Sequence, residues 1–354
     1  VSLTVFLVEI IHINLDVHVV IFKIMNQNFK NILSFILRLA FSVFLLGWLF
    51  SKIDVKKTAD ILKTADINFI LVALAVYCVI YYILLVRWFV YVKALNLKIP
   101  FRTVFRYFSI GVFGNLFLPS AIGGDLIKIY GLCKDSSQKP KVVASVLLDR
   151  LSGYAGLVVV ASVAFIFGYR WIHDVSLFLL IAGLAGGWSL VMAVLLNEKL
   201  YAGCCRIFGF WPKAKESIMK MHYDIALLNN PARTLWQTVA LSCLAQITYA
   251  VVFCLIARAL HQEIGMIYFL IFVPLISVAA AFPSIGGLGV REAGAAYLFA
   301  KVGVDSGIAV SISLINFLYM ILIGLIGGAV YVVTLYSRRV QYYQSDSSLS
   351  PEKT

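Results

Sequence analysis

From position 31 onward the chain alternates apolar runs with short polar ones. The runs lie at about 31–50, 67–86, 107–122, 143–168, 176–196, 235–257, 266–282, 288–302 and 307–336. Six are 20 residues or longer, enough for a helix rising 1.5 Å per residue to cross a hydrocarbon core of about 30 Å. Three are shorter: 107–122, 266–282 and 288–302. This pattern predicts an all-α polytopic membrane protein with about six to eight membrane helices.

Composition agrees with the pattern. Of 354 residues, 62% are hydrophobic and 13% charged, against about half and about a quarter in soluble domains. A soluble enzyme, a disordered chain and a collagen-like fibre are excluded. The net charge is +13, from 30 Lys and Arg against 17 Asp and Glu. No basic segment interleaved with aromatics accompanies it, so no nucleic acid partner is expected. Basic cytoplasmic loops and anionic lipid headgroups account for the excess instead. Cys78, Cys133, Cys204, Cys205, Cys243 and Cys254 contain no C-x-x-C pair, and the histidines lie apart. No metal site or cofactor is expected.

Charge also orients the runs. With the N-terminus inside, 107–122 entering and leaving from the cytoplasm, and 266–302 a hairpin from the outside, the inner segments are 87–106, 125–141, 197–233 and 337–354. They carry 18 Lys and Arg, against 6 in the outer segments 51–66, 169–175 and 258–265. The positive-inside rule favours this arrangement in a cell inner (plasma) membrane, with both termini cytoplasmic. Residues 51–66 read as an amphipathic interfacial helix or a solvated loop, and 337–354 as a disordered cytoplasmic tail. The first methionine is Met25, and residues 1–24 are expected to be a leader upstream of the functional start. Residues 25–336 are then one transmembrane domain.

Two short segments match each other. Phe117-Leu-Pro119-Ser-Ala-Ile-Gly123-Gly124-Asp125 and Ala281-Phe-Pro283-Ser-Ile-Gly286-Gly287-Leu-Gly289-Val-Arg291-Glu292 each read apolar, Pro-Ser, Ile, Gly-Gly, then charge. Together they predict two re-entrant broken-helix loops in an inverted repeat. Pro ends a helix, Gly permits turns barred to other residues, and non-helical backbone at membrane depth requires a protein-lined or wet cavity. A helix restarting there offers backbone N–H groups to an anion such as phosphate. The other reading is that Gly-Gly lets helices pack closely. Candidate loop residues are Asn115, Pro119, Gly123, Gly124, Pro283, Gly286, Gly287 and Gly289. Charged candidates on the substrate path are Asp125, Lys128, Asp149, Arg150, Arg291 and Glu292. Such groups inside spans cost at least about 2.5 kcal/mol, so they pair or face water. Arg150 or Arg291 would grip a phosphate, with Asp149 or Glu292 orienting it. A structural ion pair such as Asp125–Arg291 is the alternative.

No G-x-S-x-G, H-E-x-x-H or P-loop motif occurs, so no catalytic residue is assigned. Tyr77, Tyr81, Tyr82, Tyr91, Tyr107 and Tyr130 read as interfacial anchors or bundle packing.

The stretches GNLFLPSAIGGDLIKIYGL, SVLLDRLSGYAGL and FPSIGGLGVREAGAAYLF resemble the flippase-like membrane domain of lysylphosphatidylglycerol synthases, over about residues 31–336. The matching positions are Asn115, Pro119, Gly123, Gly124, Asp125, Asp149, Arg150, Gly286, Gly287, Gly289, Arg291 and Glu292. The resemblance implies translocation of lipids with charged headgroups. In two-part members a soluble domain transfers lysine to phosphatidylglycerol, and no segment of matching length lies outside the resemblance here. The function expected is therefore flipping of a lipid or lipid-linked anionic headgroup rather than catalysis. Two alternatives stay open: a membrane transferase acting on phospholipid or polyprenyl phosphate, and a scaffold for a separate soluble lipid-modifying synthase.

Overall fold

A computed structural model describes residues 63–117, 123–170, 174–197, 227–228, 230–280 and 287–347. Among them the chain is entirely helical. The elements are α1 (Ile67–Ala94), α2 (Phe101–Phe117), α3 (Gly123–Lys134), α4 (Lys139–Gly168), α5 (Val175–Leu196), α6 (Pro231–Ala259), α7 (Met266–Ala280), α8 (Val290–Ala300) and α9 (Ser306–Ser347). The leader, the run at 31–50 and most of the segments at 51–66 and 197–233 lie outside the described residues.

Helix starts follow local chemistry. The Asp66 carboxylate accepts from the Asn68 N–H at 2.8 Å, and Asp174 caps α5 through the Ser176 N–H at 2.8 Å. Proline occupies the first turn of α4 and α6, where its missing donor costs nothing. Helices α1, α4, α5 and α6 and residues 306–334 of α9 are long and apolar enough to cross a membrane. This is a polytopic helical membrane protein.

Three boundaries differ from the apolar pattern. Helix α3 (Gly123–Lys134) takes up most of the segment 125–141 read as cytoplasmic, and buries Lys128, where Asp125 and aromatic rings meet its charge. Helix α1 continues past residue 86 to Ala94, so Arg87 belongs to a buried helix face and not to a loop; its charge is met by partners on other helices. Removing Arg87 and Lys128 from the inner segments leaves the direction of the charge asymmetry unchanged. Helix α9 runs on to Ser347, so residue 337 is not a helix end. The arginines and tyrosines after 337 suit a helix, and the first proline there is Pro351.

Contacts between helix ends sort the connections onto two faces. The Asp66 N–H donates to the Ala259 carbonyl at 2.9 Å, a His261 ring nitrogen lies 3.0 Å from the Thr64 carbonyl, and Lys301 pairs with Asp174. Residues 64–66, 174–176, 259–265 and 301 therefore share a first face. At the opposite end the Tyr91 and Thr238 hydroxyls are 2.8 Å apart, Trp88 donates to Ser145 at 3.2 Å, and Tyr107 donates to Asp135 at 3.1 Å. The connections α1–α2 and α3–α4 and the start of α6 share this second face.

Between these faces sit two pairs of shorter helices, α2 with α3 and α7 with α8, the second of each pair the shorter. At 1.5 Å per residue α3 spans ~18 Å and α8 ~17 Å, short of a hydrocarbon core of about 30 Å. Helices α2 and α3 rise and return on the second face; α7 and α8 do so from the first. The α2/α3 pair closes on backbone contact, since a Cβ on Gly124 would lie 2.3 Å from the Gly111 carbonyl. Each pair has its own apolar core. Trp88, Tyr91, Phe108, Leu132 and Leu148 fill the first; Phe253, Phe269, Phe272, Phe299 and Tyr319 fill the second. Helix α9 packs against both α2 and α8.

The α2–α9 crossing depends on small residues. A Cβ on Gly327 would sit 2.2 Å from the Ser109 carbonyl oxygen, whereas one on Gly183 of α5 would meet nothing within 4 Å. Gly327→Leu is expected to cost at least about 1–3 kcal/mol and lower the thermal midpoint of the detergent-purified protein. Gly183→Leu, measured alongside, should leave that midpoint unchanged.

Candidate functional site

The ionisable groups inside the bundle fall into three clusters. The first forms where α3 begins. Asp125 occupies the first turn of α3, where the helix dipole favours an anion. Its carboxylate takes the Arg150 Nε on one oxygen and lies 3.4 Å from the Lys128 Nζ on the other. Lys128 is enclosed further by aromatic faces, 5.2 Å from the Trp88 ring centre and 4.8 Å from that of Phe108, a cation–π arrangement. The side chains of Asp125 and Lys128 are buried, whereas that of Arg150 is 29% exposed. Gly123 and Gly124 are buried at the helix start, and the Asn115 amide oxygen accepts from the Gly124 N–H at 2.8 Å.

The second cluster binds three long helices. Arg87 of α1 donates through Nε to Asp149 of α4 at 2.7 Å and through Nη1 to Ser242 of α6 at 3.0 Å. Asp149 and Arg150 are neighbours in sequence, yet they do not pair. Successive helix positions point about 100° apart, so Asp149 faces α1 and α6 while Arg150 faces α3.

The third cluster opens α8. Gly287 and Gly289 take φ of 79° and 86°, values that favour glycine. Glu292, fully buried, accepts the Gly289 N–H at 2.7 Å on one oxygen and the Arg291 Nη2 at 2.7 Å on the other. Arg291 Nε also donates to Ser313 of α9 at 3.1 Å, and its guanidinium lies 5.1 Å from the Phe317 ring centre.

These clusters bring together most of the residues picked out by sequence. Asp125, Lys128 and Arg150 meet; Arg291 and Glu292 meet; Asp149 joins Arg87. Asp125 and Arg291 do not pair with each other, each being engaged by a nearer partner. The Gly124 and Gly289 amides, expected to face an anion, donate here to Asn115 and Glu292. Pro119, Pro283 and Gly286 lie outside the described residues. Asp125 is nine residues from the end of α3 and Arg291 nine from the end of α8, which puts each ~14 Å from opposite faces.

Sequence reasoning missed Arg87, Ser242, Ser313 and the Trp88–Phe108 cage. A signal for Arg87 was present: Ala73, Tyr77, Ile80, Arg87 and Tyr91 form one stripe at helical spacing, and all are buried. Of the tyrosines, Tyr77, Tyr91 and Tyr107 pack inside, while Tyr82 and Tyr130 are exposed. Tyr77 also joins Tyr81 and Tyr249, with ring centres 5.4 and 6.2 Å away, and Asn316 of α9 donates to the Tyr249 hydroxyl at 2.9 Å. Among the described residues no group of His, Cys, Asp and Glu could hold a metal ion.

A cavity of about 480 Å³ opens on the first face beside Asp174, Gln262, Glu263, Tyr268, Phe272 and Lys301. The Lys301 ammonium, with Ser176, holds the Asp174 carboxyl well below the usual carboxylate range. As pH falls, the attraction between them is lost only when Asp174 protonates, in strongly acid solution.

Breaking a buried pair strands one charge and costs about 3–5 kcal/mol, whereas replacing both partners by apolar groups is often neutral. Arg87→Met and Asp149→Leu are each expected to lower the thermal midpoint in detergent sharply. The double variant should recover most of the loss.

Residues 35–328 match the family described as the lysylphosphatidylglycerol synthase TM region. A membrane protein of the UPF0104 group from Pyrococcus horikoshii is 28% identical over 321 residues, covering 81% of this chain and 92% of that protein. The family match spans well over half the chain and includes all three ion clusters, so the protein belongs to the family of the lysylphosphatidylglycerol synthase transmembrane region.

Proposed function

We propose that this protein translocates a lipid, or a lipid-linked anionic headgroup, between the leaflets of the cell inner membrane. The observation that carries the reading is the position of the first and third clusters. Each stands at the start of a half-length helix, ~14 Å from opposite faces, with cations held by carboxylates from the protein itself. In this reading the α2/α3 and α7/α8 pairs are re-entrant from opposite sides, as in transporters whose broken helices meet near the midplane. The second face is cytoplasmic, following the excess of Lys and Arg in its loops.

Function then arises from exchange of ionic partners. A phosphate arriving beside α3 competes with Asp125 for Arg150 and Lys128. Arg150 offers a planar fork matched to phosphate oxygens, and its partial exposure gives the headgroup a point of entry. On the other side Glu292 and Ser313 hold Arg291 in place until the headgroup reaches it. Acyl chains stay in the bilayer along the exposed apolar helix surfaces, such as Leu126, Tyr130 and Tyr297.

The test is leaflet movement of fluorescent lipids in proteoliposomes. Arg150→Ala and Arg291→Ala should each slow translocation at least about tenfold while the protein remains inserted and folded. Unchanged movement in both variants overturns the reading.

A further inference from the structure

Two amide oxygens inside the bundle lack a hydrogen-bond donor. Asn316 of α9 is 1% exposed. Its Nδ2 donates to the Tyr249 hydroxyl of α6 at 2.9 Å, while its Oδ1 is buried with no partner among the described residues. The Gln246 Oε1 is buried and unpartnered in the same way. Gln246 and Tyr249 are three residues apart on α6 and so share a helix face. Tyr249 accepts from Asn316 through its oxygen and keeps its own proton to donate. Tyr77 closes the cluster from α1, its ring centre 6.2 Å from that of Tyr249.

Four helices bring these groups to one depth. Tyr77 lies ten residues into α1, Asn316 ten into α9, Tyr249 ten from the end of α6 and Arg291 nine from the end of α8. Each is then ~14–15 Å from the first face, near the middle of a hydrocarbon core of about 30 Å. Arg291 donates to Ser313, one turn from Asn316 on the same face of α9. Its charge also acts on Tyr77, Tyr81 and Tyr249.

A buried acceptor without a donor is costly, and an arriving donor relieves that cost. We infer that Gln246, Tyr249 and Asn316 form a midplane subsite for the hydroxyls of a polyol headgroup, whose phosphodiester takes the Arg291 guanidinium. A hydroxyl donates to an amide oxygen and accepts the Tyr249 proton through one atom. Two hydroxyls on neighbouring carbons meet both amides. An ammonium in the same place would face the Arg291 cation, and an alkyl headgroup would leave both oxygens unmet. The subsite is enclosed, so it receives a headgroup in transit and rests on the translocation reading for its cargo. The hydrogen-bond pattern alone sets its preference.

Water is the competing occupant, and two lipids of equal charge separate it from a polyol. Phosphatidylglycerol and phosphatidylpropanol share the phosphodiester and the length of the headgroup, and differ only in its hydroxyls. The full-length protein in detergent is offered an equimolar mixture of the two with matched acyl chains, and retained lipid is counted by native mass spectrometry. The parent should retain phosphatidylglycerol at least about tenfold over phosphatidylpropanol, since the analogue leaves the site's polar groups unpaired. Asn316→Leu should abolish that preference, and Gln246→Leu should lower it. Equal retention by the parent overturns the proposal and leaves the amide oxygens to water. An unchanged preference in a folded Asn316→Leu protein also overturns it. Should that variant not fold, Gln246→Leu decides alone, and an unchanged preference there overturns the proposal. Glycerophosphoglycerol runs beside the lipids: preferential retention of the acylated diester supports a lipid ligand, and equal retention of the deacylated diester overturns that source. The expected preference without any leaflet movement would refute translocation while upholding the subsite; movement of both lipids with equal retention would do the reverse.

Discussion

A charge inside a membrane must be answered by another side chain, and in this bundle the Arg87–Asp149 and Arg150–Asp125 pairs do so between helices, Lys128–Asp125 and Arg291–Glu292 within one. The Arg87 guanidinium holds Asp149 and Ser242, so one side chain ties α1 to α4 and α6. These three helices cross the membrane and frame the shorter ones. Asp149 fixes the rotation of α4, and that rotation aims the next residue, Arg150, at Asp125 on α3. The ion pair that holds the scaffold thus also sets the geometry of the cluster beside it. Loss of Arg87 would strand Asp149 and also loosen the angle at which Arg150 meets α3.

Around that frame the protein repeats one device from opposite faces. One helix of each pair precedes the Pro-Ser segment of the repeat, and a second, short helix follows it. At each restart a side chain takes the amide of a glycine, Asn115 for Gly124 and Glu292 for Gly289. Backbone donors that lipid could not satisfy are met internally. The two pairs differ in how the carboxylate is used. At α8, Glu292 serves both its helix start and Arg291, whereas at α3 the Asp125 carboxylate meets both Arg150 and Lys128.

Much of this was legible in the sequence because membranes impose coarse rules. Run length gave the long helices among the described residues, and the short runs at 107–122, 266–282 and 288–302 marked α2, α7 and α8, whereas α3 lay in a segment read as cytoplasmic. The glycine repeat drew attention to Asp125, Arg291 and Glu292. Pairing was not legible, because partners lie far apart in sequence: Arg87 and Asp149 are 62 positions apart, and Arg87 and Ser242 are 155 apart. Arg87 was misread as a loop residue since hydropathy falls at the first charge, while helix α1 continues for two turns beyond it. Ser242 and Ser313 carry no signal of their own; they matter only through the guanidinium each receives. The Asp125–Arg291 alternative was reasonable from charge alone, and it fails because each residue has a nearer partner.

The central claim is that the two pairs of shorter helices enter from opposite faces. Single cysteines at Ser137, between α3 and α4, and at His261, between α6 and α7, would test it in a protein whose own cysteines are replaced. An impermeant thiol reagent applied to each side of sealed membranes reads their location. The account predicts that the Ser137→Cys protein reacts only from the cytoplasmic side and the His261→Cys protein only from the outer side. Labelling of both from the same side would contradict it, since the two pairs would then open on the same face.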